Sequence, residues 1–376
     1  MTASSPPRVL RFQSSALRAP AFGLVVDETD GVPVSALNLT ALDARLGTAF
    51  DAFNTQGGWD LAAQQASHPQ AEPEPVTPAQ VLPPVDISLE DIHGRRRFIL
   101  SMGLNYESHR RETNRGKDLL MINALATTGA YEPITLQPEA HLPDIEAEMG
   151  CVLLADVDLG AIPAMRDLER RLAYFTVNDL TDRAPIILDE VEGYTPAKSD
   201  PGFKPIGPWM VPGTHLPVFS GPSPLDVKCV VTKPGQTPRI RQHDQTTGII
   251  RNPAQVLALL AEKLAANPAL DAPDRQRRRH PFALRVGDRF LLPAGSLIFT
   301  GTPGGTSIRP PALPDKLRLL LRAGFSMRRA RALYVRDCRR RAAALGYLEP
   351  GDTVETSVSQ LGTQRWEIRG TKITPS

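Results

Sequence analysis

The stretch D-I-E-A-E-M-G-C-V-L-L-A-D, residues 144–156, joins an acidic start to an apolar run. The apolar half reads as a buried strand, and Asp144, Glu146 and Glu148 occupy alternate positions at its start. Side chains at i, i+2 and i+4 of a strand share one face. Carboxylates set side by side repel, and burial raises their pKa values further. A divalent cation removes that conflict, because carboxylate oxygens are natural ligands for Mg²⁺, Mn²⁺ or Ca²⁺. The alternative is a strand whose polar face meets water, and spacing alone leaves both readings open.

Working outward, residues 98–102 read as another strand, followed by Gly103 and a polar helix start in G-L-N-Y-E-S-H-R-R-E-T. On that helix His109 and Glu112, three apart, share a face. A carboxylate beside an imidazole holds its tautomer and raises its basicity, which suits a base that activates water. An exposed His–Glu helix pair is the plainer alternative. C-terminal to the acidic stretch, residues 174–177 form a strand ending at Asn178-Asp179, from which the aspartate can reach a metal. Lys198 opens a loop dense in proline and glycine, 197–212, where a solvated side chain is its default role. Residues 225–242 read as a hairpin, and a helix begins near Asn252. Residues 292–306 are a turn, a buried strand and a Gly-rich loop. That loop lacks the K-[ST] ending of a phosphate-binding loop, but its N–H groups can receive a carboxylate.

The N-terminal third has its own pattern. Residues 8–39 read as short strands around a turn at Asp30-Gly31. Leu42, Leu46, Phe50 and Phe53 then follow helical spacing. Residues 70–84 are Pro-rich and extended, a linker between a small N-terminal unit and the main domain. The chain has 36 prolines in 376 residues, which argues against a helical bundle and for many turns and short strands.

Composition narrows the classes. The net charge of +2 is not that of a dedicated basic domain, despite the basic run at 275–280, so nucleic-acid binding is not expected. The three cysteines, Cys151, Cys229 and Cys338, are far apart, which disfavours structural zinc and disulfides. No apolar run reaches the length of a membrane span, and the first residues lack the apolar core of a signal peptide. A cytoplasmic protein with no membrane association is the expectation.

The order of the motifs is more specific than any one of them. G-L-N-Y-x-x-H-x-x-E, D-x-E-x-E, T-V-N-D-x-x-x-R, K-S, P-x-G-P-W, R-Q, T-G-T-P-x-G and L-x-P-G-D-x-V-E, closing with L-G, resemble the fumarylacetoacetate hydrolase superfamily, over roughly 96–370. The resemblance implies a β-rich α+β fold, a roll or barrel of mixed sheets with peripheral helices. It places a small N-terminal domain at 1–85 and a catalytic domain at 86–376, and it implies a homodimer. It carries Glu146, Glu148 and Asp179 over as ligands of one Mg²⁺ or Mn²⁺, with Asp144 as their neighbour. His109 and Glu112 become the water-activating dyad, Lys198 the substrate-polarising lysine, and Arg183, Gln242 and Thr302 substrate-binding residues. The implied activity is metal-dependent hydrolysis of a C–C bond in an acylpyruvate or related β-diketo acid. Other members are lyases or isomerases, namely 2-oxo acid decarboxylases, dehydratases and oxo–enol isomerases. A binding protein that keeps the fold without turnover is a third reading.

The chain departs from the family pattern around the substrate pocket. The loop L-L-M-I-N-A-L-A-T-T-G-A, 119–130, has no lysine followed by proline. Ala184 stands where an aspartate often follows the arginine. Residues 311–346 are an insertion rich in arginine, read as two helices broken at Gly324-Phe325-Ser326. It is either a solvated helical hairpin or an element leaning over the pocket mouth or dimer interface, offering arginines to an anionic substrate or an acidic partner.

Overall fold

The computed structural model describes residues 6–87, 90–114, 116–123, 127–138, 141–189, 194–222, 224–272 and 282–370. The fold is α+β and rich in strands, as expected. The strand Ala147–Leu153 lies at its centre, buried throughout. It pairs antiparallel with Leu172–Asn178 on one side and with Leu297–Phe299 on the other. A strand covered on both faces needs no polar alternation, which is why its apolar half reads as a continuous run. Gly150 is required by close packing, since a Cβ there would stand 2.4 Å from the Phe175 ring.

Ala147–Leu153 belongs to an 11-stranded sheet, and a 5-stranded sheet packs beside it. Both are predominantly antiparallel, with parallel pairs such as Leu297–Phe299 on Ile99–Gly103. One core fills the space between the sheets, with Met149, Cys151 and Tyr174 from the large sheet and Val227, Cys229 and Trp366 from the other. Polar ties cross the same interface. Asn178 donates to Thr356 Oγ1 at 2.9 Å, and Gln364 donates to the Thr176 carbonyl at 2.9 Å. A second core, including Phe22, Phe53, Val152 and Phe175, covers the opposite face of the large sheet.

The N-terminal strands extend that sheet. The turn at Asp30-Gly31 joins Ala19–Thr29 to Val32–Asn38, as the sequence predicts. Val9–Ser14 then pairs with Trp209–Pro212, so a strand ends the loop expected at 197–212. The proline-rich 70–84 segment also contributes short strands, Glu74–Pro75 and Val81–Leu82. The helical region breaks into short pieces around Gly47 and Gly57, both at positive φ. Leu46, Phe50 and Phe53 are buried there, whereas Leu42 is exposed. Asn252 caps the helix Pro253–Ala266 in a capping box. The insertion forms the helices Leu313–Arg322 and Met327–Arg340, with the break at the expected place. Residues 275–280 lie outside the described residues. Among the described residues no helix is long and apolar enough to cross a membrane.

A buried ion pair at 2.5 Å links Asp51 of the N-terminal part to Arg97 of the body. Replacing Arg97 by Met strands the Asp51 charge, and about 3 kcal/mol of stability should be lost. Because the sheet runs through both parts, calorimetry should show one transition for the parent protein and for the variant. Two separated transitions in the parent protein would mean that residues 1–85 unfold on their own.

Candidate active site

The antiparallel register of the central strands builds the site. Ala147 stands opposite Asn178, so the residues flanking that pair, Glu146 and Asp179, meet at the strand ends. The Asp179 amide donates to the Glu146 carbonyl at 2.8 Å, and Asn178 Oδ1 accepts from the Glu146 amide at 2.9 Å. Glu148, one step inside the strand, completes a group whose carboxylate oxygens lie within 4.8 Å of one another. All three residues are buried. Of the three alternating acids only Glu148 lies within Ala147–Leu153, and Asp144 is set apart from it. It sits in the short strand Pro143–Asp144, paired with Thr181–Asp182, and the chain leaves strand geometry before Glu146. Its Oδ2 accepts from Arg183 Nε at 2.9 Å and from the Ser307 amide at 2.8 Å.

Burial, reinforced by Asp179 and Glu146, pushes the Glu148 carboxyl well above the usual range. Among the described residues its carboxylate accepts from the Gly301 N–H, at 2.7 Å. Converging buried oxygens with one carboxyl left destabilised in its charged form are a donor set that fits a hard divalent cation.

Protein cations crowd the same carboxylates. Lys198 donates to Glu146 Oε2 at 2.6 Å, Asp179 Oδ2 at 2.7 Å and Thr181 Oγ1 at 2.8 Å. At 2% exposure it is no solvated loop lysine. Burial works against its charge, but Asp179 and Glu146 outweigh burial and raise its pKa. Arg183 reaches Glu146 Oε1 at 2.5 Å. Burial alone would raise the Glu146 carboxyl, yet Lys198 and Arg183 hold it at about 2. Lys204 was not singled out from the sequence. Its Nζ lies 2.7 Å from Asp179 Oδ1, fully buried, and desolvation lowers its pKa although Asp179 opposes this. The available signal was a lone lysine in the otherwise apolar P-G-F-K-P-I run.

His109 and Glu112 lie on the helix Glu107–Thr113. His109 Nδ1 is 3.2 Å from Glu112 Oε2, and the imidazole is 5% exposed, so the exposed-pair alternative falls. Glu112 also accepts from the Gly305 amide at 3.2 Å and Thr306 Oγ1 at 3.0 Å, and it pairs with Arg309. Burial raises its pKa, but the His109 hydrogen bond and Arg309 prevail and lower it. The Gly-rich loop thus receives carboxylates as its N–H groups suggest, but they are the protein's own: Glu148, Glu112 and Asp144. Gly305 has φ +109, and a Cβ there would meet the Arg241 carbonyl at 1.9 Å.

Gln242 and Thr302 hold this loop to the central strand. Gln242 donates to Thr302 Oγ1 and the Pro303 carbonyl, each at 2.8 Å, and accepts from the Ala147 amide at 2.9 Å. Thr302 donates to the Ala147 carbonyl at 2.9 Å. Glu146, His109, Arg183, Lys198 and Thr302 line one cavity of about 450 Å³, whereas Gln242 stands behind its wall.

The sequence pattern described as fumarylacetoacetate (FAA) hydrolase C-terminal matches residues 98–369. The chain belongs to the fumarylacetoacetate hydrolase family. It is an enzyme of that family, and the buried Glu146–Glu148–Asp179 group can hold a divalent cation. It is 23% identical over 278 residues to a 2,4-didehydro-3-deoxy-L-rhamnonate hydrolase of Sphingomonas sp. (strain SKA58), covering 72% of each chain. The fold is also that of the fumarylacetoacetate hydrolase of Exiguobacterium antarcticum, with TM-score 0.58, 17% identity and coverage of 97% of this chain and 100% of that one. The 2-hydroxyhepta-2,4-diene-1,7-dioate isomerase of Mycobacterium marinum gives TM-score 0.57, 18% identity and coverage of 97% and 99%.

Lys204 puts an ammonium beside Asp179, one of the three carboxylates of the candidate ion site. Replacing it by Met should tighten Mn²⁺ binding about tenfold or more, measured by titration calorimetry, where one decade is about 1.4 kcal/mol. Unchanged or weaker binding would show that Lys204 holds Asp179 in place for the ion.

Proposed function

We propose that this enzyme is a metal-dependent hydrolase that cleaves a C–C bond in an acylpyruvate or related β-diketo acid. The observation that carries this reading is that His109, held by Glu112 behind it, and Glu146 line the same cavity, with the other two cluster carboxylates converging on Glu146. Hydrolysis uses a general base to activate water, whereas decarboxylation needs no activated water.

Glu146, Glu148 and Asp179 are the residues to hold Mg²⁺ or Mn²⁺, which when bound supplies Lewis acidity to the carboxylate and 2-oxo oxygens of the substrate. Arg183 and Lys198 offset the cluster carboxylates at the same end of the cavity, so that with an ion bound there an anionic head would be stabilised. His109, with its Nδ1 side turned to Glu112, takes a proton from water as the oxygen adds to the distal carbonyl. The C–C bond then breaks, and its electron pair passes to the pyruvate-derived enolate. Protonation of the enolate carbon completes pyruvate, and the acyl part leaves as a carboxylic acid. Glu112 keeps the imidazole oriented, and Arg309 with the Thr306 hydroxyl helps keep Glu112 ionised.

The direct test is a panel of acylpyruvates, oxaloacetate and unsaturated 2-oxo acids, with Mg²⁺ or Mn²⁺ and chelator controls, followed by product analysis. Pyruvate plus a carboxylic acid is expected. Carbon dioxide, or an isomer with no cleavage, would assign a decarboxylase or isomerase instead. His109→Ala should lower kcat at least about a hundredfold, since general-base catalysis contributes about 10²–10⁴. Metal affinity should stay within about threefold, because the imidazole is not a ligand here. Loss of metal binding in that variant would contradict its role as a base.

A further inference from the structure

The cavity has two chemically different ends. The charged end is the head site, with Glu146, Arg183, Lys198 and His109. The remainder of the wall is largely apolar. The body contributes Leu104, Met121 and Ile186, and the inserted hairpin contributes Leu319, Leu320 and Met327. At about 450 Å³ the cavity has the size of pockets that take ligands well beyond a three-carbon acid.

The hairpin is fixed in this place. Val335 and Cys338 pack on Leu142 and Ala184 of the body. The Tyr334 hydroxyl donates to the Arg309 carbonyl, tying the second helix to the segment that follows the Gly-rich loop. Arg331 Nη1 donates to the Leu188 carbonyl at 3.4 Å. The insertion therefore does lean over the pocket, but chiefly through apolar side chains. Among its described arginines only Arg331 lines the cavity, whereas Arg318 pairs with Asp315 at 3.6 Å and Arg322 with Asp337 at 3.1 Å.

We infer that the substrate carries an apolar acyl or aryl group beyond its 2-oxo acid head, and that the helical hairpin 313–340 is the element that selects it. This rests on the proposed 2-oxo acid site. Lys316 and Arg331 at the cavity wall define the competing choice, a tail ending in a second carboxylate.

The test is a binding series, read by titration calorimetry on the full chain with Mn²⁺ present. The probes are pyruvate, 2-oxobutanoate, 2-oxohexanoate and 2-oxooctanoate, with 2-oxoglutarate and 2-oxoadipate as dicarboxylates. Each methylene that enters the cavity should tighten binding about fourfold. The longest monocarboxylate should bind at least about tenfold more tightly than either dicarboxylate. Met327→Asp should flatten the monocarboxylate series. Met327 is 58% exposed and begins its helix, where an acidic residue is well tolerated, so the variant should fold. A flat series in the parent protein, tighter dicarboxylates, or an unaltered series in the variant overturns the inference. Binding does not require turnover, so failure of the acylpyruvate panel removes the hydrolase reading and leaves this result standing. If no 2-oxo acid binds, both fall together.

Discussion

Four carboxylates and three basic side chains are packed together, buried, at the end of the central strand, and the rest of the site is arranged to make that tolerable. Asp144, Glu146, Glu148 and Asp179 face Arg183, Lys198 and Lys204, all of them buried. Breaking such pairs singly is costly, because each leaves a charge without solvent or partner. Glu148 is the member with no cation of its own, and its carboxyl is the one pushed up. A divalent ion entering here would meet ligands already assembled, and would have to share Glu146 and Asp179 with lysines. The network thus offers a candidate ion its carboxylates and, through the lysines, opposes its entry.

The Gly-rich loop is the second support. Its amides and hydroxyls bind Glu148, Glu112 and Asp144, and so set the cluster and the dyad relative to each other. Gln242, buried behind the cavity wall, clamps that loop to Ala147. In this arrangement it acts through the residues it holds, and its side-chain amide is engaged there on both the nitrogen and the oxygen.

Much of this was legible in local sequence. The alternating acids, the helix carrying His109 and Glu112, the Asn252 cap and the break at Gly324 depend on spacing and short-range geometry. What was not legible depends on distant partners. The unit 1–85 looked separable because 70–84 is proline-rich, yet Val9 finds Met210 two hundred residues away. Asp144 seemed part of the acidic strand, but its pairing with Thr181 turns it out of that strand. Residue type gave Lys198 a solvated default role, and the tertiary fold pairs it with Glu146 and Asp179 and sets Lys204, which no motif marked, beside Asp179. The insertion was read through its many arginines, whereas Leu319, Leu320 and Met327 line the cavity. Charge count marks what a helix pair shows to water, and amphipathic placement decides what it shows to a pocket.

The most direct measurement is an anomalous difference map from crystals grown with Mn²⁺. A single strong peak enclosed by the carboxylates of Glu146, Glu148 and Asp179 is the predicted result. A map with no peak there, or with manganese bound only at surface carboxylates, would contradict the reading of this buried cluster as the metal site on which catalysis depends.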